Sequence, residues 1–190
     1  MALRFLNRWR RDRRGVSAIE FAFIAPIMIL LYFGVAELCS AMLAQRKAQH
    51  VASEVGDLVA QCQQVGSSDF SSTGYWSVGS AVLYPLSSSN LSERVTSVIA
   101  DSTDTKFTVG WSKDNGGSLT AYANGVTLTN TNFANLIPAN GSIIMSESQY
   151  NYTSPVSIVI QSAIPFNSTF YLAPRQVTQI PWSTSATCLS

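Results

Sequence analysis

An uncharged run from Phe21 to Ala36 constrains this chain more than any other stretch. With its flanks, from Val16 to Ala44, the apolar segment exceeds the roughly 20 residues that a bilayer-crossing helix needs. No turn signal follows it. Ala41, Ala44, Ala48, Val51, Val55 and Leu58 recur at steps of three and four, while Gln45, Arg46, Lys47, Gln49, Glu54 and Asp57 fill the other faces. That spacing predicts an amphipathic helix continuing out of the apolar one. From Val16 to about Gln63 such a helix would be on the order of 70 Å long, too long to be buried in a domain of this size. One end must lie in lipid or against other helices, and the other must carry a domain. Gly66–Ser67–Ser68 supplies a stop. Pro26 is costly inside a soluble helix but tolerated in a membrane helix, so a kink or loosened turn is expected there and not an end.

Charge sets the orientation of that helix. The net charge of +1 hides an asymmetry: Met1–Gly15 holds six arginines against Asp12, and the rest holds six cations against ten acids. A block of arginines beside an apolar run keeps its own side of the bilayer cytoplasmic, which places the bulk of the chain outside. A nucleic-acid-binding tail is the other reading of the arginines, and the apolar segment that follows at once weighs against it. Inside the lip of the segment, Glu20 follows Gly15 by five residues. A carboxylate there is expensive and marks a function. The plainer reading of Glu20 is a protonated or snorkelling carboxyl at the membrane edge. Two further alternatives concern the whole segment. It reads also as a secretory signal cleaved after Gly34–Val35–Ala36, against which the length of the apolar run and Glu20 argue, or as an uncleaved signal anchor. His50, the only histidine, reads as a solvated or packed side chain and not as a ligand.

The later part is poor in charge and rich in Ser, Thr, Asn and Gly, yet Val, Ile, Tyr, Phe and Trp recur throughout, as in a folded, turn-rich extracytoplasmic domain. Of the three cysteines, Cys39 lies in or near the membrane helix, leaving Cys62 and Cys188 as the candidate disulfide, with three free thiols as the alternative. Asp69–Leu86 stays open from its residues alone, although Tyr75, Trp76, Val78, Val82 and Leu83 fit one face of a short helix closed before Pro85. Leu91–Ala100 fits either period. Phe107, Val109 and Trp111 alternate in a strand over Lys106–Ser112, and Asn115–Gly116–Gly117 marks a turn. Leu119–Leu128 reads as a weaker strand interrupted at Asn124–Gly125, Ser142–Tyr152 as a strand, and Phe170–Ile180 as the last strand, confined by Pro174 to an edge or bulge. Val156–Ile160 is a short apolar run between prolines, for which core packing is a plainer reading than membrane insertion at that length. The fold class is α+β: a long N-terminal transmembrane and amphipathic helix carrying a small antiparallel β-sheet head. The parts are a basic cytoplasmic leader over 1–15, a transmembrane and assembly helix over 16–44, its extracytoplasmic extension over 45–64, and the head over 65–190. Strands of the head are expected to pack on the outer half of the helix, helped by Tyr84, Tyr150 and Tyr152.

At Arg14–Gly15–Val16–Ser17–Ala18–Ile19–Glu20–Phe21–Ala22–Phe23–Ile24–Ala25–Pro26 the chain resembles the TadE-like family, pseudopilins (minor pilins) of the bacterial tight-adherence, or Flp, type IV pilus system. Val109–Gly110–Trp111–Ser112, Ser148–Gln149–Tyr150–Asn151–Tyr152–Thr153–Ser154–Pro155 and Phe170–Tyr171–Leu172–Ala173–Pro174–Arg175 look like later segments of that family. Only the N-terminal motif is specific, and Ala173 departs from the larger, often basic, residue expected there. The resemblance tips Leu91–Ala100 toward strand and the stretch around Trp76–Leu83 toward helix. It also implies cleavage between Gly15 and Val16 by a prepilin peptidase, with Arg13 and Arg14 holding the leader on the cytoplasmic side. Glu20, then fifth in the mature chain, would pair with the N-terminal amine of a neighbouring subunit and set register. The implied partners are the peptidase, the major Flp pilin and another pseudopilin, the inner-membrane assembly platform and membrane lipid, with no nucleic acid. The implied location is the bacterial inner membrane, single-pass, with incorporation into the pilus.

Three classes of function stand against one another. The first is a non-enzymatic assembly component. The second is a membrane-anchored adhesin or binding module, in which Trp76, Trp111, Tyr122 and the Asn/Gly loops contact sugars or surfaces, although core packing of these aromatics is the plainer reading. An enzyme is the weakest, because one histidine and the lack of metalloprotease, nucleophile-elbow and phosphate-loop motifs leave no catalytic constellation. No catalytic residue, cofactor or metal is expected. Glu93, Asp101, Asp104 and Asp114 read as surface acids, with a calcium site around Asp101–Asp104 or Asp114–Asn115 as a minor alternative.

Overall fold

The computed structural model describes residues 15–103, 105–129, 133–184 and 188. Helix α1 runs unbroken from Val16 to Ala60, through Pro26. It is followed by β1 (Val65–Gly66), α2 (Tyr75–Leu83), a 3-10 turn at Ser88–Asn90, β2 (Leu91–Ala100), β3 (Phe107–Asp114), α3 (Phe133–Leu136), β4 (Ser142–Tyr152), β5 (Ile164–Leu172) and β6 (Trp182–Ser183). The class is therefore α+β. Two compact units are formed, one by the residues up to Ser40 with Thr153–Ser162, the other by Ala41–Tyr152 with Ala163–Ser190.

In the second unit a four-stranded antiparallel sheet has the order β3-β2-β4-β5. Period-two alternation on β4 separates two cores. Ile143 and Met145 join Val98, Ala100, Phe107, Phe133 and Ile137 on one face. On the other, Ser146 and Ser148 meet the outer part of α1, where Ser148 Oγ donates to the Ala48 carbonyl at 2.6 Å. That part of α1 is built from small residues: Ala41, Ala44, Ala48, Val51 and Val55 are buried, as their spacing predicts, Ala52 is buried beside them, and Leu58 is only half-buried. At Gly56 an added Cβ would lie 2.6 Å from Leu172 Cδ1 and 2.8 Å from Ser146 Cβ, so the helix approaches the sheet as closely as a bare Cα allows. The end of α1 is satisfied from far along the chain: Arg175 N–H donates to the Ala60 carbonyl at 2.9 Å, and Gln176 Nε2 to that of Gln61 at 2.7 Å. Cys62 and Cys188 are joined as a disulfide with Cα atoms 5.6 Å apart. The Arg175 guanidinium also pairs with Asp57.

Several expectations need correction. Leu119–Leu128 is not a strand. It bonds to β3 at isolated points, with Val109 N–H donating to the Val126 carbonyl and Leu128 N–H to that of Phe107. Gly125, at φ +79°, turns the chain out of the extended conformation a ladder needs. The last long strand is Ile164–Leu172, not Phe170–Ile180. It starts earlier because Tyr152 to Ile144 of β4 offers it a full ladder, which Pro165 tolerates near the start of an edge strand. It stops before Pro174 because residues 175 and 176 turn to the end of α1. The helix ends at Ala60 instead of near Gln63, for the same capping reason. Tyr150 and Tyr152 are buried, but Tyr84 is 77% exposed and supports no packing on the helix. His50 is exposed. Val156, Ile158 and Val159 are also exposed, contrary to the expected core role of that run.

Candidate functional site

The N-terminal motif opens α1. Gly15 is exposed, and a Cβ added there would meet nothing within 4 Å, so packing within the chain does not demand glycine. Val16 is the first helical residue. Glu20 is exposed and has no hydrogen-bond or ion-pair partner among the described residues. Arg13 and Arg14 lie outside them. The helix that follows is apolar on every side: Ile27, Met28, Ile29, Leu30, Leu31 and Tyr32, covering more than one full turn, are each over half exposed. One 18-residue window has a mean hydropathy of 2.1 with none of it buried. A helix apolar all round and uncovered by its own chain needs a membrane or other helices around it. By length and composition it is able to cross a membrane.

The same unit holds a second carboxylate, used quite differently. Glu37 is 2% exposed. Its Oε1 accepts from Ile158 N–H at 2.8 Å, and its Oε2 from Val159 N–H at 3.0 Å and Ile160 N–H at 2.7 Å. The loop is shaped by a local turn, in which Ser157 N–H donates to Ser154 Oγ at 3.3 Å and Ser157 Oγ to the Ser154 carbonyl at 2.8 Å. One turn before Glu37, Gly34 leaves room for Val159, whose Cγ2 would sit 3.5 Å from an added Cβ. In the sequence Glu37 stands only as an interruption between the apolar runs Phe21–Ala36 and Leu38–Ala44. That lone acid was the available signal; its partner lies about 120 residues on, with no side-chain motif to announce it.

In the second unit the candidate head residues scatter into structural roles. Trp111 is buried and its Nε1 donates to the Ile180 carbonyl at 2.8 Å. Tyr122 lies under the Arg94 guanidinium and accepts from it at 2.9 Å. Arg94 also makes a bidentate pair with Glu147 at 2.7 and 2.9 Å. Trp76 packs on Phe70 at the rim of a cleft of about 480 Å³ that Leu91, Glu93, Asp114 and Asn115 also line. Glu93 is buried, with one oxygen accepting from Asn115 Nδ2 at 3.3 Å and the other unpartnered over Gly79. Burial pushes its carboxyl up to about 8. Asp101 closes its own turn, accepting from the backbone N–H groups of Thr103 and Thr105. Although desolvation opposes it, this hydrogen bonding, led by the Thr103 side chain, holds Asp101 below the usual carboxylate range. Asp114 accepts from Gly116 and Ala121 N–H groups. Both acids thus shape turns, and Asp104 lies outside the described residues. Among the described residues no group of three or more His, Cys, Asp or Glu side chains is placed to hold a metal ion.

Fold and site together define a helix-anchored α+β protein whose first helix offers an uncovered apolar surface. The model of the TadE-like protein family matches residues 15–57, from the glycine before α1 nearly to the helix end. This is the family that the N-terminal motif resembles, and the match is confined to that glycine and the helix. No curated protein and no solved structure matches the chain.

Proposed function

We propose that this chain is a minor pilin or pseudopilin of a tight-adherence type IV pilus. A prepilin peptidase cuts it between Gly15 and Val16, and it acts in pilus assembly and surface adhesion through its apolar helix. It waits in the bacterial inner membrane with its N-terminus cytoplasmic and its head extracytoplasmic. It meets the major Flp pilin, a second pseudopilin and the assembly platform there. The observation that carries this reading is the family match beginning at Gly15, immediately before a helix whose apolar residues face outward on all sides. Glu20, without a partner among the described residues, is suited to pair with the new N-terminal amine of a neighbour. Such a pair costs desolvation, and losing one partner costs about 3–5 kcal/mol, so a misplaced subunit is penalised.

The test is N-terminal mass analysis in cells carrying the pilus machinery. The mature chain is expected to start at Val16, and Gly15→Ala to retain Met1. An intact Met1 in the unaltered protein beside an active peptidase overturns the reading. Glu20→Ala is expected to be cleaved normally but to be depleted from sheared pili; normal incorporation removes the register role while leaving the processing role standing.

A further inference from the structure

We infer that Thr153–Ser162 is a bilayer-seated loop, held against α1 by Glu37 and resting in the outer boundary of the lipid. The inference rests on the membrane reading of α1 given above. Three observations carry it.

First, the loop is compact with the membrane-competent part of α1, the residues up to Ser40. Second, its side chains are of the wrong kind for a water-facing loop. Val156, Ile158 and Val159 are 47%, 45% and 53% exposed, and Val35 and Leu38, which follow the Gly34 and Glu37 that the loop meets on the helix, are 53% and 57% exposed. Third, the backbone is prepared for a medium without water. An irregular segment in lipid must satisfy its N–H groups within the protein, because each one left bare costs several kcal/mol. Here three successive N–H groups, those of Ile158, Val159 and Ile160, all end on one carboxylate. The arrangement is reciprocal. A carboxylate in an apolar helix needs donors to remain there, and the loop supplies three of them.

The depth is consistent. Glu37 lies 21 residues beyond Val16, about 31 Å along a helix, close to the roughly 30 Å thickness of a hydrocarbon core. If Val16 marks the cytoplasmic edge, Glu37 falls at the opposite boundary, where a loop whose apolar centre, Ile158–Ile160, has its N–H groups bound is stable.

The experiment uses the full chain in phosphatidylethanolamine–phosphatidylglycerol vesicles, in a Cys39→Ser background and without reductant. Val159→Cys, Ile29→Cys and Ala123→Cys each carry a bimane label, read by quenching from brominated lipid and by reactivity toward a membrane-impermeant maleimide before labelling. The expected result is strong quenching at 29 and 159, none at 123, and maleimide reaction at 159 several-fold slower than at 123. Adding Glu37→Leu is expected to abolish quenching at 159 and leave it intact at 29. Quenching at 29 with a freely reactive, unquenched 159 overturns the loop inference alone. A site 159 protected from maleimide but not quenched by lipid means a protein covers it, and also overturns it. Quenching at 159 that survives Glu37→Leu overturns the role of the carboxylate. Loss of quenching at both 29 and 159 overturns the membrane reading itself.

Discussion

The two halves of α1 are one helix under opposite rules. From Phe21 to Leu38 its bulky residues, Phe, Ile, Leu and Tyr, face outward uncovered. From Ala41 to Ala60 its inward face is Ala, Val and Gly, and the protein's own sheet lies against it. The difference lies in who supplies the neighbour. Where the chain supplies it, small side chains let a helix and a sheet come close enough for Ser148 to bond a helix carbonyl. Where lipid or other helices supply it, large apolar side chains give the most contact area without requiring a fixed fit. Two of the buried acids, Glu37 and Glu93, differ between the units. Glu37 in the first unit has three backbone donors, whereas Glu93 in the second keeps an unpartnered oxygen and a carboxyl that holds its proton to about pH 8.

The largest expected effect sharpens this contrast. Cys62 and Cys188 close a loop of 126 residues within the second unit. Reduction, or Cys188→Ser, should cost the head up to about 4–5 kcal/mol in the chain-entropy account, seen as a lowered melting temperature of near-UV ellipticity in detergent. The helicity of the first half should persist. A melt unchanged by reductant would mean that the covered half does not depend on its staple.

Glu93 comes next. An unfolded chain releases this proton near the ordinary carboxyl value of 4.5, while the folded one keeps it to about 8, so folding stability falls as pH rises through that window. Glu93→Gln should flatten the decline and raise stability at pH 8 on the order of 2–4 kcal/mol, with the difference vanishing below pH 4.5. Chemical denaturation across that range measures it, and a pH-independent difference would refute the assignment.

The smallest pair tests the halves directly. Gly56→Val should destabilise the head by about 1–3 kcal/mol through overpacking against Ser146 and Leu172. Leu31→Ala, on the uncovered half, should leave the same melt within about 0.5 kcal/mol. Equal losses would erase the distinction drawn between the halves.

Much of this was legible in sequence because it rests on periodicity. The 3.6-residue recurrence from Ala41 to Val55, the alternation of Phe107, Val109 and Trp111, and the bounds of Ser142–Tyr152 are local properties, and the structure keeps them. What was not legible depended on distant partners. Val156–Ile160 looked like core because apolar runs usually are; only the proximity of Glu37 explains why its backbone is bound and its side chains are not covered. Phe170–Ile180 looked continuous because nothing nearby reveals that residue 175 is drawn to the carboxyl end of a helix finishing at residue 60. Leu119–Leu128 had strand composition but only intermittent bonding to β3. Within the candidate site, Gly15 and Glu20 announced themselves through spacing, whereas Glu37 had only its isolation.

The Cys62–Cys188 bond also has a mechanical meaning. Tension applied between residues 62 and 188 passes through one covalent cross-link and never reaches the chain between them. Fully extended, those 126 residues would span about 430 Å at some 3.4 Å each. That length stays locked under load. The four strands of the sheet and the core of Val98, Phe107, Phe133, Ile137, Ile143 and Met145 lie inside the locked segment, so tension between residues 62 and 188 cannot unravel them while the bridge is intact.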